Sequence, residues 1–226
     1  MVTTCALIAA YNEQQHIARV VAGALRHVPA VVLVDDGSTD ETGARARQAG
    51  ATVIRHERNL GKGRALRTGL DQVLAQPFTH VILLDADMQH DPDEIPKLLE
   101  RAERGVGDFV IGEREFSRAA MPAPRFYTNV IASRILSYFM GAQILDSQSG
   151  FRLIRTKFIR QVHLTATGYE IETEMIIKLL RAGARIERVT VKRLAYQGAR
   201  SHMRPVRDTF RTCMLALGYR YFAGRS

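Results

Sequence analysis

Short apolar runs alternate with amphipathic stretches through the first half of the chain. The runs at Thr4–Ala9, Ala30–Asp35, Ala51–His56, His80–Leu84 and Asp108–Gly112 have the length and β-branched content of buried strands. Between them, apolar residues recur at helical spacing over Gln14–His27, Asp40–Gln48, Gly63–Ala75 and Pro92–Arg104. This alternation predicts an α/β fold, a mainly parallel sheet flanked by helices in the Rossmann-like manner. After Gly112 the regularity breaks. Glu113 through Pro124 is polar and Pro-containing and reads as a loop, and Phe126–Met140 reads as an amphipathic helix. An irregular turn at Asp146–Gly150 follows, then a helix near Ile171–Ala182, a strand near Arg185–Arg193, a loop at Leu194–Pro205 and a terminal helix to about Phe222. No repeat, low-complexity tract or linker interrupts the pattern, and 226 residues suit one core. The expectation is a single domain over 1–226.

Charge narrows the partners. The formal net charge is +9, with much of the excess in the last third, including Arg181, Arg185, Arg188, Lys192, Arg193 and Arg200. Such a bias attracts polyanions: nucleic acid, anionic lipid headgroups or a diphosphate. The chain lacks aromatic-basic interleaving, zinc-finger spacing and a helix-turn-helix signature, which disfavours nucleic acid. No segment approaches the ~18 uninterrupted apolar residues of a membrane span. The N-terminus passes into a strand pattern without a basic leader, so a cytoplasmic location is expected. Cys5 and Cys213 have apolar neighbours and no pairing or metal-ligand spacing, and read as buried free thiols.

The chemistry concentrates at two strand ends. Val81-Ile82-Leu83-Leu84 runs directly into Asp85-Ala86-Asp87, two carboxylates that can offer oxygens to a hard divalent cation in the crevice beyond the sheet. The same residues also read as an acidic strand-to-helix turn, since Asp91-Pro92-Asp93-Glu94 resembles a helix start. Upstream, Val31-Val32-Leu33-Val34 runs into Asp35-Asp36-Gly37-Ser38-Thr39-Asp40, with Thr39 or Asp40 placed to cap the next helix. A carboxylate at such a position can accept from a ribose hydroxyl or a base N–H. Together the two ends suggest a nucleotide and a metal side by side.

These motifs stand in a familiar order. Ala10-Tyr11-Asn12-Glu13, Asp35-Asp36-Gly37-Ser38-Thr39-Asp40, Asn59-Leu60-Gly61-Lys62-Gly63 and Asp85-Ala86-Asp87-Met88-Gln89-His90-Asp91-Pro92 together resemble family 2 glycosyltransferases of the GT-A fold. Asp146-Ser147-Gln148-Ser149-Gly150-Phe151-Arg152 is similar to the branch that includes dolichyl-phosphate mannose synthase and polyprenyl-phosphate sugar transferases. The resemblance covers nearly the whole chain. It implies a nucleotide-sugar-binding half over 1–112 and an acceptor-binding half over 113–226.

By position, the resemblance implies that Ala10, Tyr11 and Glu13 contact the nucleotide and that Asp36 takes the base or ribose. Asp85 and Asp87 would face the diphosphate, with Asp87 and Gln89 on Mg²⁺ or Mn²⁺, cations suited to hard oxygen ligands. Tyr11 and Glu13 also read as a hydrophobic contact and a helix-entry charge. Gly61-Lys62-Gly63 is either a phosphate contact through Lys62 or a plain helix-entry loop. Arg114 and Arg125 match arginines that bind the acceptor phosphate, and each also reads as a solvated surface charge. Tyr196 through Met203 is similar to the loop that closes over the donor diphosphate, which would bring Arg200 and His202 to phosphate or metal. Ala199 and Arg200 stand there where the family pattern is acidic, and His202 equally suits plain solvent exposure.

The activity implied is metal-dependent, inverting transfer of a sugar from a nucleoside diphosphate sugar, most simply to a polyprenyl phosphate at an anionic membrane surface. A lipid phosphate is largely dianionic at neutral pH and needs little help from a base. A hydroxyl acceptor would need one, and Asp146 is the candidate, although Asp before Ser also orders its own turn. The helices around Phe126–Met140 and Phe210–Phe222 suit either an interface or an ordinary core with a solvated face. A nucleotidyltransferase would carry a basic Gly-rich loop where Ala9-Ala10-Tyr11-Asn12-Glu13 stands. A non-catalytic nucleotide- or lipid-binding module is the alternative from another class. The oligomeric state is open.

Overall fold

The computed structural model describes residues 2–114, 149–192 and 194, together with the helical positions 130, 133, 134 and 137. Seven strands, β1 (Thr4–Ala10), β2 (Ala30–Asp35), β3 (Thr52–Arg55), β4 (His80–Asp85), β5 (Phe109–Arg114), β6 (Arg152–Arg155) and β7 (Ile186–Val191), form one sheet. Their order is β3-β2-β1-β4-β6-β5-β7. All neighbours pair parallel except those of β6, which runs antiparallel to both β4 and β5. The helices are α1 (Ile17–Leu25), α2 (Thr42–Gln48), α3 (Lys62–Leu74), α4 (Ile95–Glu103, entered through a 3-10 turn at Pro92–Glu94), α5 (Thr156–Ile159) and α6 (Ile171–Arg181).

In the inner strands β1, β2 and β4 residues alternate between two buried faces, which is why these runs are apolar almost throughout. Cys5, Leu7, Val32, Val34, Val81, Leu83, Phe109 and Ile111 pack with α3 and α6 through Leu66, Leu70, Met175 and Ile176. Ala6, Ile8, Val31, Leu33, Ile82, Leu84 and Val110 face α1, α2 and α4 through Val20, Val21, Ala46 and Leu98. The expected mixed α/β single domain with a mainly parallel sheet is the fold observed. Burial pushes the Cys5 thiol up to about 11, as expected of an inert core cysteine.

Two boundaries moved for identifiable reasons. The first helix begins at Ile17 rather than Gln14 because the N–H groups of Asn12, Glu13 and Gln14 donate to Ser38, Thr42 and Asp40. The second helix begins at Thr42 with Glu41, not Thr39 or Asp40, in the N-cap position, and Asp40 accepts from Thr42 N at 2.9 Å from one residue further out. One strand was not expected: β6 is four residues long with an arginine at each end, so its apolar signal is two residues. Arg152 is nonetheless fully buried, with Nε donating to Ser149 O at 2.7 Å and Nη1 to Glu172 O at 2.6 Å. Within the expected Phe126–Met140 helix the four described positions are helical. Among the described residues no helix is long and apolar enough to cross a membrane.

Candidate functional site

The sheet order reverses between β1 and β4, since the chain runs from β1 outward through β2 and β3 and then returns to the other side of β1. A crevice opens beyond the carboxyl ends of strands at such a switch point. Register places the acidic strand ends there: Ala10 is level with Asp35, and Ala9 with Asp85. Leu83 and Ile111 both register with Arg152, so β4 and β5 end at the same sheet edge and Arg114 closes β5 beside it.

The loop leaving β1 is fastened to the loop leaving β2. Asn12 adopts φ +56, a left-handed conformation that Asn tolerates, and its Oδ1 accepts from Thr39 N at 2.8 Å. Asp36 N donates to Ala10 O at 2.9 Å. Tyr11 and Glu13 are thereby carried half-buried along the rim. Asn12 and Ser38 were not singled out as site residues, and their work is to hold these two loops together.

Asp36 is buried and turned toward its own fold. Its Oδ1 accepts from Leu60 N at 3.0 Å and lies 2.7 Å from His56 Nδ1, while Oδ2 accepts from Gly61 N at 2.8 Å. His56 Nε2 lies 3.1 Å from Thr68 Oγ1. Asp36 therefore fixes the turn that opens α3, and a base or ribose contact would share oxygens already serving as acceptors.

The Gly61-Lys62-Gly63 segment presses on protein rather than on open space. Gly61 has φ +96, and a Cβ built on it would meet Thr167 O at 2.5 Å. The N–H groups of Gly63 and Arg64 donate to Thr167 O at 2.9 and 3.3 Å, so the start of α3 is already capped. Lys62 is aimed at two carboxylates, with Nζ 2.7 Å from Asp85 Oδ1 and 2.6 Å from Glu172 Oε1. Burial favours the neutral amine, but Asp85 and Glu172 outweigh it and hold the Lys62 pKa above its ordinary value. Its charge is permanent at any working pH.

The acidic turn itself is tightly wound. Met88 has φ +60 between Asp87 and Gln89, an uncommon conformation for a side chain of this size. It lets Gln89 fold back, with its backbone N donating to Asp87 Oδ1 at 3.0 Å and its Nε2 to Oδ2 at 2.7 Å. His90 Nε2 is buried 3.9 Å from Asp85 Oδ2. A Cβ on Gly150 would lie 2.2 Å from Asp85 Oδ2, so only glycine allows that segment to approach. Leu194 N donates to Gln89 O at 3.1 Å.

Electrostatics ties the rim together. Burial, followed by the charges of Asp87, Asp40 and Asp85, pushes the Glu13 carboxyl up to about 7. Among the described residues no three His, Cys, Asp or Glu side chains converge to form a metal cage. The donors fit a hard cation of a different habit: Mg²⁺ and similar ions are commonly held by one or two side-chain oxygens and completed by water and substrate phosphate. Asp87 and the Gln89 amide carry oxygens of that kind beside the carboxylates of Glu13, Asp40 and Asp85, although both Asp87 oxygens here accept from Gln89.

The structure thus brings Ala10, Tyr11, Glu13, Asp36, Lys62, Asp85, Asp87 and Gln89 to one edge of the sheet, with the end of β5 at Arg114 on the same edge. Arg125, Asp146, Arg200 and His202 lie outside the described residues. Sequence reasoning missed Glu172. Its run Glu170-Ile171-Glu172-Thr173-Glu174 reads as acidic residues on a helix start, and only the burial of all three distinguishes it.

Comparison with known proteins bears on the family and the fold. A family model described as Glycosyl transferase family 2 matches residues 5–163. Glycosyltransferase AglJ of Haloferax volcanii is 32% identical over 210 residues, 90% of this chain and 67% of that protein. Polyprenol monophosphomannose synthase of Mycolicibacterium smegmatis is 26% identical over 202 residues, 83% of this chain and 76% of that protein. Among solved structures, glucosyl-3-phosphoglycerate synthase from Mycobacterium tuberculosis, crystallised with Mn²⁺, uridine-diphosphate-glucose and phosphoglyceric acid, matches with a TM-score of 0.74 at 23% identity. The match covers 97% of this chain and 79% of that one, and at this identity it speaks for the fold.

Proposed function

The chain belongs to glycosyl transferase family 2, and from that premise we propose that it transfers a sugar, with inversion, from a nucleoside diphosphate sugar to a polyprenyl phosphate at a membrane surface. The donor lies across the switch point, its nucleotide against Ala10, Tyr11, Glu13 and Asp36 and its diphosphate toward Lys62 and Asp85. Asp87 and Gln89 would hold Mg²⁺ or Mn²⁺. The observation that carries this reading is the convergence of Glu13, Asp40, Asp85 and Asp87 at the rim, where burial and the other three carboxylates drive Glu13 up to about 7. A divalent cation removes that repulsion and, when bound, neutralises the charge that accumulates on a departing diphosphate.

The protein's own groups do the rest. Lys62 offers a permanent cation at the diphosphate end, and the β1–α1 and β2–α2 loops hold the nucleotide so that the anomeric carbon faces the acceptor side. Residues 113–226 form the acceptor half, with Arg114 and Arg125 gripping the lipid phosphate through bidentate forks. Arg200 and His202 close over the donor, a role supported by the bond that starts this segment beside the acidic turn, Leu194 N to Gln89 O. A dianionic acceptor attacks without a base, whereas a hydroxyl acceptor would draw on Asp146. The polyprenyl reading is supported by the name of the mycobacterial relative.

The test is turnover of GDP-mannose, UDP-glucose and UDP-N-acetylglucosamine with vesicle-borne polyprenyl phosphate or a soluble alcohol, in Mn²⁺, Mg²⁺ or chelator. Sugar transfer to the lipid phosphate, abolished by chelator and unchanged in Asp146→Asn, is the expected result. Transfer to the alcohol alone, collapsing in Asp146→Asn, would replace the acceptor.

A further inference from the structure

The Lys62 ammonium is shared by carboxylates that come from opposite halves of the chain. Asp85 ends β4 and holds it at 2.7 Å; Glu172, in the first turn of α6, holds it at 2.6 Å. The Glu172 side chain is buried, and its backbone carbonyl is fixed by Arg152 Nη1 at 2.6 Å. Two residues on, the buried Glu174 carboxylate accepts from Thr165 N and Ala166 N, and the neighbouring Thr167 O caps the start of α3. Glu172 and Lys62 are therefore set in one rigid frame, with the Tyr169 ring 5.5 Å from the ammonium.

The trio holds two carboxylates and one ammonium, with the fully buried Arg152 guanidinium and His90, 3.9 Å from Asp85 Oδ2, beside it, so each carboxylate charge counts in what the cluster presents. Without the Glu172 charge, Lys62 and Asp85 would form a neutral pair. The buried carboxylate on α6 thus decides what Asp85 presents to a ligand, although nothing places Glu172 itself on that ligand.

We propose that Glu172 is a positioning residue that sets the charge of the donor site, drawing Lys62 partly away from Asp85 so that the rim favours a divalent cation and disfavours a diphosphate arriving without one. Donor binding is thereby made dependent on the metal. This inference rests on the donor-site reading above. It makes a prediction that a purely structural role does not, because removing one negative charge must move cation and anion affinities in opposite directions.

The test is calorimetric titration of the full-length protein with Mn²⁺ alone and with UDP or GDP in chelator, for wild type and Glu172→Gln. The amide keeps an oxygen for Lys62 while losing the charge. Roughly tenfold weaker Mn²⁺ binding together with severalfold tighter metal-free nucleotide is expected from a unit charge at this range. Lys62→Met gives the reverse pair of shifts and serves if Glu172→Gln does not fold by circular dichroism. Unchanged affinities, or a parallel loss of both in a folded variant, overturn the inference alone. A wild type that binds neither probe overturns the donor-site reading and this inference with it.

Discussion

Glu13→Gln isolates the electrostatic strain at the rim. The Glu13 carboxyl rises from 4.5 to about 7 through burial and then through Asp87, Asp40 and Asp85. At ~1.4 kcal/mol per pH unit this corresponds to about 3 kcal/mol against the ionised form, reduced to roughly 1–2 kcal/mol by solvent screening of a half-buried group. The sign follows from proton counting. Between 4.5 and about 7 the folded protein holds a proton that the unfolded chain has released, so this group's contribution to stability falls as pH rises through that window. Glutamine mimics the protonated acid at every pH. Urea unfolding should therefore show Glu13→Gln matching wild type near pH 4.5 and exceeding it by roughly 1–2 kcal/mol at pH 8 without metal. Saturating Mn²⁺ should shrink that gap. An identical difference at both pH values would refute the carboxylate crowding.

Three further substitutions test the frame around the site. Gly61→Ala, at φ +96 and with Thr167 O 2.5 Å from the added Cβ, should lose about 2 kcal/mol of stability in urea unfolding. Asp36→Asn removes the charge that accepts from Leu60 and Gly61 and faces His56, and should lose about 2 kcal/mol whether or not nucleotide is present. Arg152→Met strips the donors from the Ser149 and Glu172 carbonyls and should lower stability by about 3 kcal/mol, read as a fall in melting temperature.

The fold was legible because most of its strands announce themselves as unbroken apolar runs, a consequence of burial on both faces. Strand β6 was not, since Arg152 and Arg155 occupy two of its four positions and the buried arginine finds its partners in distant backbone carbonyls. The acidic strand ends were legible from position alone, because a carboxylate following a buried strand must emerge at the sheet edge. What each carboxylate does there was less so. Asp36 has the same local signature as Asp85, yet its oxygens serve the turn before α3 while Asp85 pairs with Lys62. The two glycines around Lys62 signalled a close backbone approach correctly, but the approaching group is the 166–167 backbone. Glu172 carries no local mark, because its partner Lys62 lies 110 positions away in sequence and the pairing exists only once α6 is laid against α3.

The most direct test of the central claim is titration of UDP and GDP into wild type and Asp87→Asn, each with and without Mn²⁺. The account predicts that Mn²⁺ tightens one of these nucleotides on wild type by on the order of tenfold or more, and that Asp87→Asn loses this gain while remaining folded. Nucleotide binding indifferent to the cation, or a gain from Mn²⁺ that survives in Asp87→Asn, would contradict it.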